Sequence, residues 1–364
     1  FRVSEAEIDE ADQYIDDDLK KAIAIATENI YAFHERQRPK DLEPEETSKG
    51  VYCWRQFRPI EKVGLYIPGG TAPLFSTLIM LAVPAIIVGC RDIKICTPVN
   101  KDGKVAPEVL YTAKTLGIRN IFKIGGAQAI FAMGYGTEQV DKVDKIFGPG
   151  NAYVTEAKMR ISKTCAIDMP AGPSEVLVIA DEKANARYVA ADLLSQCEHG
   201  PDSQSVLVSN CRNKIREILS ECQAQLQNLP RKEIAKKSLQ NSFALLVDNM
   251  DEAIRISNDY APEHLILQMQ SWKQYVNKII NAGSVFCGEY APESAGDYGS
   301  GTNHTLPTGG FARSNSGIGL ESFGKWITFQ ELTREGLQNI GPSIEKMASS
   351  EGLEAHKNAV SVRF

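Results

Sequence analysis

From Val63 onward the chain repeats one pattern: a short apolar run, a break, then a longer helical run. "KVGLYIPGG" reads as a strand running into glycines, and "TAPLFSTLIMLAVPAIIVGC" after it reads as a helix. "DIKICTPV", "NIFKIGG" and "KVDKIFGPGN" are further strands, each followed by a helical stretch. Strands that alternate with helices predict a parallel sheet with helices on both faces. Three of these strands end in glycine loops that open onto helices. Helix N-termini of that kind suit an anion, because free N–H groups and the helix dipole both favour it. The loops "YIPGG", "IGGAQA" and "FGPGN" lack the GxGxxG spacing, however, and no acidic residue stands at a ribose position.

A second alternating set begins after "DMPAGPS". It runs through "EVLVIAD", a helix ending near Cys197, "SQSVLVSN", "RNKIREILSECQAQL", "FALLVD", "MDEAIRISNDY", "EHLILQM", "WKQYVNKIINA" and "SVFCGEY". No sequence repeat ties the two blocks together. Ahead of them, residues 4–36 read as amphipathic helix, with a Ser4/Glu7 capping box and Pro39 as the stop. An acidic linker follows. Residues 291–310 read as a glycine-rich loop, and the chain from about Leu320 as helical. The chain begins without an initiator Met, in an acidic helical pattern, and is expected to be a trimmed part of something longer.

Composition narrows the partners. The net charge of −6 argues against nucleic acid or an anionic membrane, both of which ask for a basic face. "LIMLAVPAIIVGC" is too short to span a bilayer and contains Pro84. The eight cysteines form no CxxC pair, and a chain of 364 residues needs no disulfide staples. Reduced thiols and a cytoplasmic compartment are expected, or a plastid in a plant.

Five histidines are the scarce chemical resource. Gln196 and His199, three apart at a helix end, share a face and suit two ligands to one metal; taken alone, the pair more readily reads as a surface helix end with His near the last carbonyls. Glu263 and His264 open an apolar strand after Pro262, expected near a carboxyl sheet edge where α/β folds bind ligands. An acid beside an imidazole is a proton-transfer pair, but strand neighbours point to opposite faces unless the chain bends. Asp297 and His304 lie in a glycine loop that is costly to order unless it wraps something. Glu351 and His356 sit near the C-terminus, where solvation alone would account for them. His34 reads as a surface residue. Two or three His with an Asp and a neutral oxygen make a zinc site without thiolates, hence an open, catalytic one. Residue chemistry alone reaches a metal-dependent enzyme with a nucleotide site.

The longer stretches, in order, resemble the histidinol dehydrogenase family: "VGLYIPGGTAPLFST", "GGAQAI", "DKIFGPGNAYVTEAK", "DMPAGPSEVLVIAD", "DLLSQCEHGPDSQ", "PEHLI", "PESAGDYGSGTNHTLPT" and "EGLEAHKNAVSVR". They extend from about Val63 to Arg363. The resemblance implies an α/β fold of two Rossmann-like αβα domains with mostly parallel sheets, aldehyde-dehydrogenase-like, plus a helical C-terminal tail. Its expected division is a helical segment over 1–65 packing on the second α/β unit, an NAD-binding domain over 66–173, a domain over 174–319 carrying most zinc and catalytic residues, and a helical segment over 320–364. It further implies oxidation of L-histidinol to L-histidine through the aldehyde, with two NAD, in histidine biosynthesis.

By the same resemblance, Gln196, His199, Asp297 and His356 would hold one zinc per subunit, completed by the substrate. His264 would be the base for the alcohol proton and Glu263 would activate water on the aldehyde. Ser174, His304 and Glu351 would join the zinc residues in contacting substrate, and Tyr66, Gln128 and Asn151 would contact NAD. A homodimer is implied in which Glu351 and His356 complete the partner's site. Rival readings are the same machinery acting on another small alcohol, a thiol mechanism through Cys53 or Cys90, and a non-catalytic zinc-binding domain.

Overall fold

The computed structural model describes residues 1–69, 73–169 and 172–364. Its helices are α1 (Glu5–Glu10), α2 (Asp17–Glu35), α3 (Phe75–Val88), α4 (Pro107–Thr115), α5 (Gly126–Tyr135), α6 (Ala152–Ile161), α7 (Ala186–Cys197), α8 (Arg212–Leu226), α9 (Lys232–Leu239), α10 (Met250–Tyr260), α11 (Glu293–Tyr298), α12 (Arg334–Ser350) and α13 (Glu354–Ser361). Its strands are β1 (Glu45–Ser48), β2 (Val51–Pro59), β3 (Lys62–Tyr66), β4 (Asp92–Thr97), β5 (Ile121–Lys123), β6 (Lys145–Phe147), β7 (Ala166–Ile167), β8 (Glu175–Ala180), β9 (Gln204–Ser209), β10 (Phe243–Leu246), β11 (His264–Gln268), β12 (Ser284–Cys287) and β13 (Gly324–Leu332).

Two compact units result. The larger holds residues 1–37 and 60–323; the smaller holds 38–59 and 324–364.

The larger unit contains two five-stranded sheets, ordered β5-β4-β3-β6-β7 and β10-β9-β8-β11-β12, with every pairing within them parallel. Both therefore run third, second, first, fourth, fifth in chain order. The alternation of strands and helices foretold this; the identical order is a kinship that no repeat in the sequence displayed. In each sheet the order reverses between the first and fourth strands, β3 and β6 in one, β8 and β11 in the other. Such a reversal splays the connections apart and opens a crevice.

The central strands β3, β8 and β11 are buried on both faces, so they read as continuous apolar runs. α3 is apolar nearly all round, and it is covered on both sides. Leu78, Leu81 and Ala82 pack with the sheet residues Val63, Leu65 and Ile95, while Ile79, Met80 and Val83 meet Ile23, Ala26 and Ile30 of α2. Ile8 of α1 joins Val109, Leu110 and Ala113 of α4 in the same core. The N-terminal helices thus bury their apolar faces on the first α/β layer, not on the second as expected. The physical reason is α3, which has a second apolar face to cover. The Ser4/Glu7 capping box forms as expected.

In the smaller unit β1, β2 and β13 form an antiparallel sheet. Two expectations give way here: 41–50 is not simply a linker, and the chain past Leu320 is not all helical. The sequence carried the signal. "VYCWRQFRP" and "GKWITFQEL" are rich in aromatic and β-branched residues, and they pair aromatic on aromatic. Trp54 stacks on Phe329 with centroids 5.6 Å apart, and Phe57 meets Trp326 edge-on at 5.4 Å. The glycine-rich stretch over 291–310 likewise holds one short helix, α11, and the "WKQYVNKIINA" segment forms only two short 3-10 turns.

Candidate active site

A cavity of about 290 Å³ opens within the larger unit. One wall comes from the carboxyl edge of the first sheet: Pro68 after β3, and Pro149, Gly150 and Asn151 after β6. The opposite wall comes from Ser174, Glu263 and His264 at the amino edge of the second sheet, with His199, Asp297 and His304 closing it. Glu263 and His264 thus stand at the start of β11, not at a carboxyl edge. The second sheet's own carboxyl edge is tied across by Asp181, whose carboxylate accepts from the backbone N–H of Lys183 and Gln270 at 2.9 and 3.1 Å.

The bend that lets both neighbours act is present. Ala261, which caps α10, adopts φ 55°, a left-handed conformation that a residue with a Cβ rarely takes. Pro262 follows, and Glu263 lies just outside the strand. Its Oε2 curls back to accept from Ser174 Oγ at 2.6 Å and from the Glu175 N–H at 2.9 Å. Burial pushes the Glu263 carboxyl up to about 8, against these hydrogen bonds.

His264 is 3% exposed. Its Nδ1 lies 3.3 Å from the Glu175 carbonyl, which only accepts, so Nδ1 carries the hydrogen and Nε2 is the lone-pair nitrogen. Nε2 has no partner. Carboxylates surround the ring: Glu263 Oε2 at 3.6 Å and Glu293 Oε1 at 3.8 Å from Nδ1, and Asp297 Oδ1 at 3.9 Å from Nε2. Burial nonetheless pushes His264 down to about 3. His304, held between the Asp297 carbonyl at 3.1 Å and Thr77 Oγ1 at 3.2 Å, is pushed down to about 4 by the same cause.

Beside this pair, His199, Glu293 and Asp297 each present a ligand atom within 4.8 Å of the others. Gln196 lies one turn before His199, fully buried, and among the described residues neither its Oε1 nor its Nε2 has a hydrogen-bond partner. Both oxygens of Glu293 are equally unpartnered, and burial holds this carboxyl well above the usual range. Asp297 is pushed up to about 7 by burial. Orphaned buried polar atoms are expensive unless something satisfies them. His199, Glu293 and Asp297 match the donor set of a divalent cation, and Gln196 offers a buried amide oxygen one turn before His199.

Glu293 was not foreseen. Its spacing four before Asp297 puts both on one face of α11, a signal hidden by reading "PESAGDYG" as loop. His34 also departs from expectation: it is fully buried, not superficial. Its Nδ1 donates to the Ile30 carbonyl at 2.8 Å, and Asn303 Nδ2 donates to the Met80 carbonyl at 2.7 Å and faces His34 Nε2 at 3.5 Å. Asn303 precedes His304, so α2 braces the loop that carries it.

The remaining expected residues are placed as follows. Tyr66 ends β3, buried, its hydroxyl accepting from the Gly126 N–H at 3.1 Å. Gln128 is exposed on α5. Asn151 caps α6, accepting from the Tyr153 and Val154 N–H groups at 3.1 Å. Glu351 and His356 belong to the smaller unit, exposed at the end of α12 and on α13. Cys90 does not line the cavity. Its thiol faces the Phe323 carbonyl at 3.6 Å and is pushed up to about 12 by burial. Cys53 lies on β2 in the smaller unit.

Two doubly wound α/β layers within the larger unit, sharing a cleft, define a fold class that other proteins display. An acetylating aldehyde dehydrogenase from Geobacillus thermoglucosidasius superposes with a TM-score of 0.55 over 90% of this chain and 92% of its own, at 13% identity, which speaks for the fold alone. The family model for histidinol dehydrogenase matches residues 1–364. The histidinol dehydrogenase of Bacteroides thetaiotaomicron is 57% identical over 363 residues, covering 100% of this chain and 85% of the relative; that of Vibrio vulnificus is 52% identical over 366 residues, at 100% and 84%. The crystal structure of histidinol dehydrogenase from Elizabethkingia anophelis superposes with a TM-score of 0.97 at 55% identity, covering 100% of this chain and 84% of that one. The chain belongs to the histidinol dehydrogenase family, and with it to the oxidoreductases.

Proposed function

We propose that this chain oxidises L-histidinol to L-histidine through the aldehyde, with two NAD, as the closing steps of histidine biosynthesis. The observation that carries this reading is His264, which lines the cavity with its Nε2 unpartnered and three carboxyl groups around its ring, beside the His199, Glu293 and Asp297 cluster.

Gln196, His199 and Asp297 fit a zinc ion, with His356 supplied across a homodimer, and Glu293 stands close enough to join them or the substrate's amine. A bound Zn2+ would anchor the substrate's imidazole and amine and so fix its orientation. NAD, when bound at the glycine loops bearing Tyr66, Gln128 and Asn151, would accept hydride. The protein's own groups move the protons. His264, neutral at working pH, takes the alcohol proton at Nε2. Of the carboxyl groups around it, Asp297, raised only to about 7, is the one that ionises near neutral pH, and in that state it stabilises the imidazolium so formed against the burial that disfavours it. Glu263, raised toward neutrality and held by Ser174 and the Glu175 amide, takes a proton from the water that adds to the aldehyde. His304 and Glu351 contact substrate, the latter together with His356 from the partner subunit in a homodimer. We assign the larger unit's two α/β layers to NAD and to zinc chemistry respectively, and the cytoplasm as the compartment. No helix of the described residues is long and apolar enough to cross a membrane, and the bacterial relatives give the plastid alternative no support.

The test is NADH formation at 340 nm from L-histidinol. Two NADH per substrate, lost on chelation and restored by zinc, are expected. No NADH from the folded, zinc-loaded chain would sink the reading.

A further inference from the structure

The glycine loop after β6 is held from behind by a buried ion pair that the proposed chemistry does not use. Lys158 of α6 and Asp168, after β7, form a salt bridge in which both side chains are almost completely hidden, at 4% and 1% exposure. Each also grips the same residue. Lys158 Nζ donates to the Gly148 carbonyl at 2.9 Å, and the Gly148 N–H donates to Asp168 Oδ2 at 2.8 Å. Asp168 Oδ1 takes a further N–H, from Met169, at 2.7 Å.

Gly148 is the residue at which β6 leaves the sheet at its point of reversal. Its φ of 124° is open to glycine, and a Cβ there would lie 2.1 Å from the Tyr66 carbonyl oxygen of β3. The two strands that define the crevice therefore meet at Gly148 with no room to spare. From there the chain runs directly through Pro149 and Gly150 to Asn151, which caps α6 and lines the cavity.

We infer that Lys158 and Asp168 are positioning residues for the cofactor: a buried clamp that sets the Gly148–Asn151 loop, and so the N-terminus of α6, at the geometry a dinucleotide requires. A buried ion pair is weak evidence for stability, since apolar residues of like volume often do as well. This pair instead satisfies both backbone groups of one glycine, so its product is the orientation of a loop. A displacement of about 1 Å in a positioning element can cost on the order of 100-fold in rate.

The inference rests on the assignment of NAD to this loop, and the test separates the two. NADH fluorescence titration and NAD saturation kinetics are measured on the full chain for the wild type, Lys158→Arg and the double variant Lys158→Met/Asp168→Asn, with L-histidinol KM as the internal reference. Lys158→Met alone would strand Asp168 as an unpaired buried charge, and the double variant removes that burden. We expect the double variant to fold, to weaken NADH binding and raise the NAD KM tenfold or more, and to leave the L-histidinol KM within about twofold, with Lys158→Arg recovering most of the loss. A double variant that loses thermal stability but binds NADH as the wild type does would overturn the clamp and leave the cofactor assignment standing. A folded wild type that binds no NADH would overturn both. Should the double variant not fold, Asp168→Glu carries the decision: it keeps the charge pair with Lys158 but lengthens the arm that holds the Gly148 N–H, so NADH affinity and NAD KM unchanged from the wild type would overturn the clamp, and a tenfold loss in both would support it.

Discussion

Glu263 and His264 are adjacent in the chain, yet Glu263 Oε2 and His264 Nδ1 lie 3.6 Å apart on one side of it, against a single cavity. On a regular strand their side chains would diverge. The turn at Ala261 and Pro262 keeps Glu263 out of the strand and lets its carboxyl fold back onto Ser174. The acid and the imidazole have opposite displacements, up to about 8 and down to about 3. Paired groups pushed apart in this way mark a division of proton-transfer roles.

His264→Asn should lower the rate of L-histidinol oxidation by about 10²–10⁴, the usual worth of a general base. Metal content should be unchanged, because His264 is not among the proposed ligands. Single-turnover kinetics with metal analysis checks both, and an unaltered kcat would remove His264 from that role.

Glu263→Gln should impair oxidation of L-histidinaldehyde more than that of L-histidinol. Gln keeps an acceptor for Ser174 and the Glu175 amide but cannot take a proton from water. In the wild type the aldehyde step should accelerate with pH through about 8, as the Glu263 carboxyl ionises. Equal losses on the two substrates would point to a positioning role for Glu263.

The metal-free chain should lose stability as pH rises from about 6.5 to 8.5. Glu263, Asp297 and Asp192 are pushed up to about 8, 7 and 7, so above their ordinary values the native state binds more protons than the unfolded chain. Stability from them is therefore present at low pH and lost as pH rises through the raised values. His264 and His304, pushed down to about 3 and 4, act in the opposite sense: their contribution is lost only as pH falls below about 6.5. Zinc should flatten the alkaline limb and, because it requires ionised carboxylates, release more protons on binding at pH 6.5 than at 8.5. Urea midpoints and titration calorimetry in two buffers measure these effects; a pH-independent midpoint from 6.5 to 8.5 without metal would contradict the argument.

His34→Leu should cost about 1–3 kcal/mol, the usual penalty for stranding a buried polar partner, here Asn303. The loop bearing His304 should loosen with it, raising the L-histidinol KM. Urea denaturation and steady-state kinetics together distinguish this from a harmless substitution.

Cys90→Ser and Cys53→Ser should still yield two NADH per L-histidinol. A thiol pushed up to about 12 is a poor nucleophile at neutral pH, and no cysteine lines the cavity. Loss of the second oxidation alone in either variant would restore the thiol mechanism.

The sequence by itself determined the alternation of strands and helices, the parallel character of the sheets and the motifs of the family. These are written in local periodicity and short spacings: "KVGLY" could hardly be other than a buried strand, and Gln196 stands in the last turn of α7, which ends at Cys197 and leaves His199 just past the helix. Only the tertiary structure decided that Glu263 and His264 sit at an amino edge, that α2 packs on α3, that β2 and β13 pair across more than 260 residues, that Glu293 joins Asp297, and that His34 is buried beside Asn303. Each of these depends on which surfaces meet, and burial is set by partners distant in the chain. The site follows the same division. Residue types suited to proton transfer and metal binding were legible singly, but the desolvation that tunes them exists only once the two sheets have brought their opposite edges to one cavity.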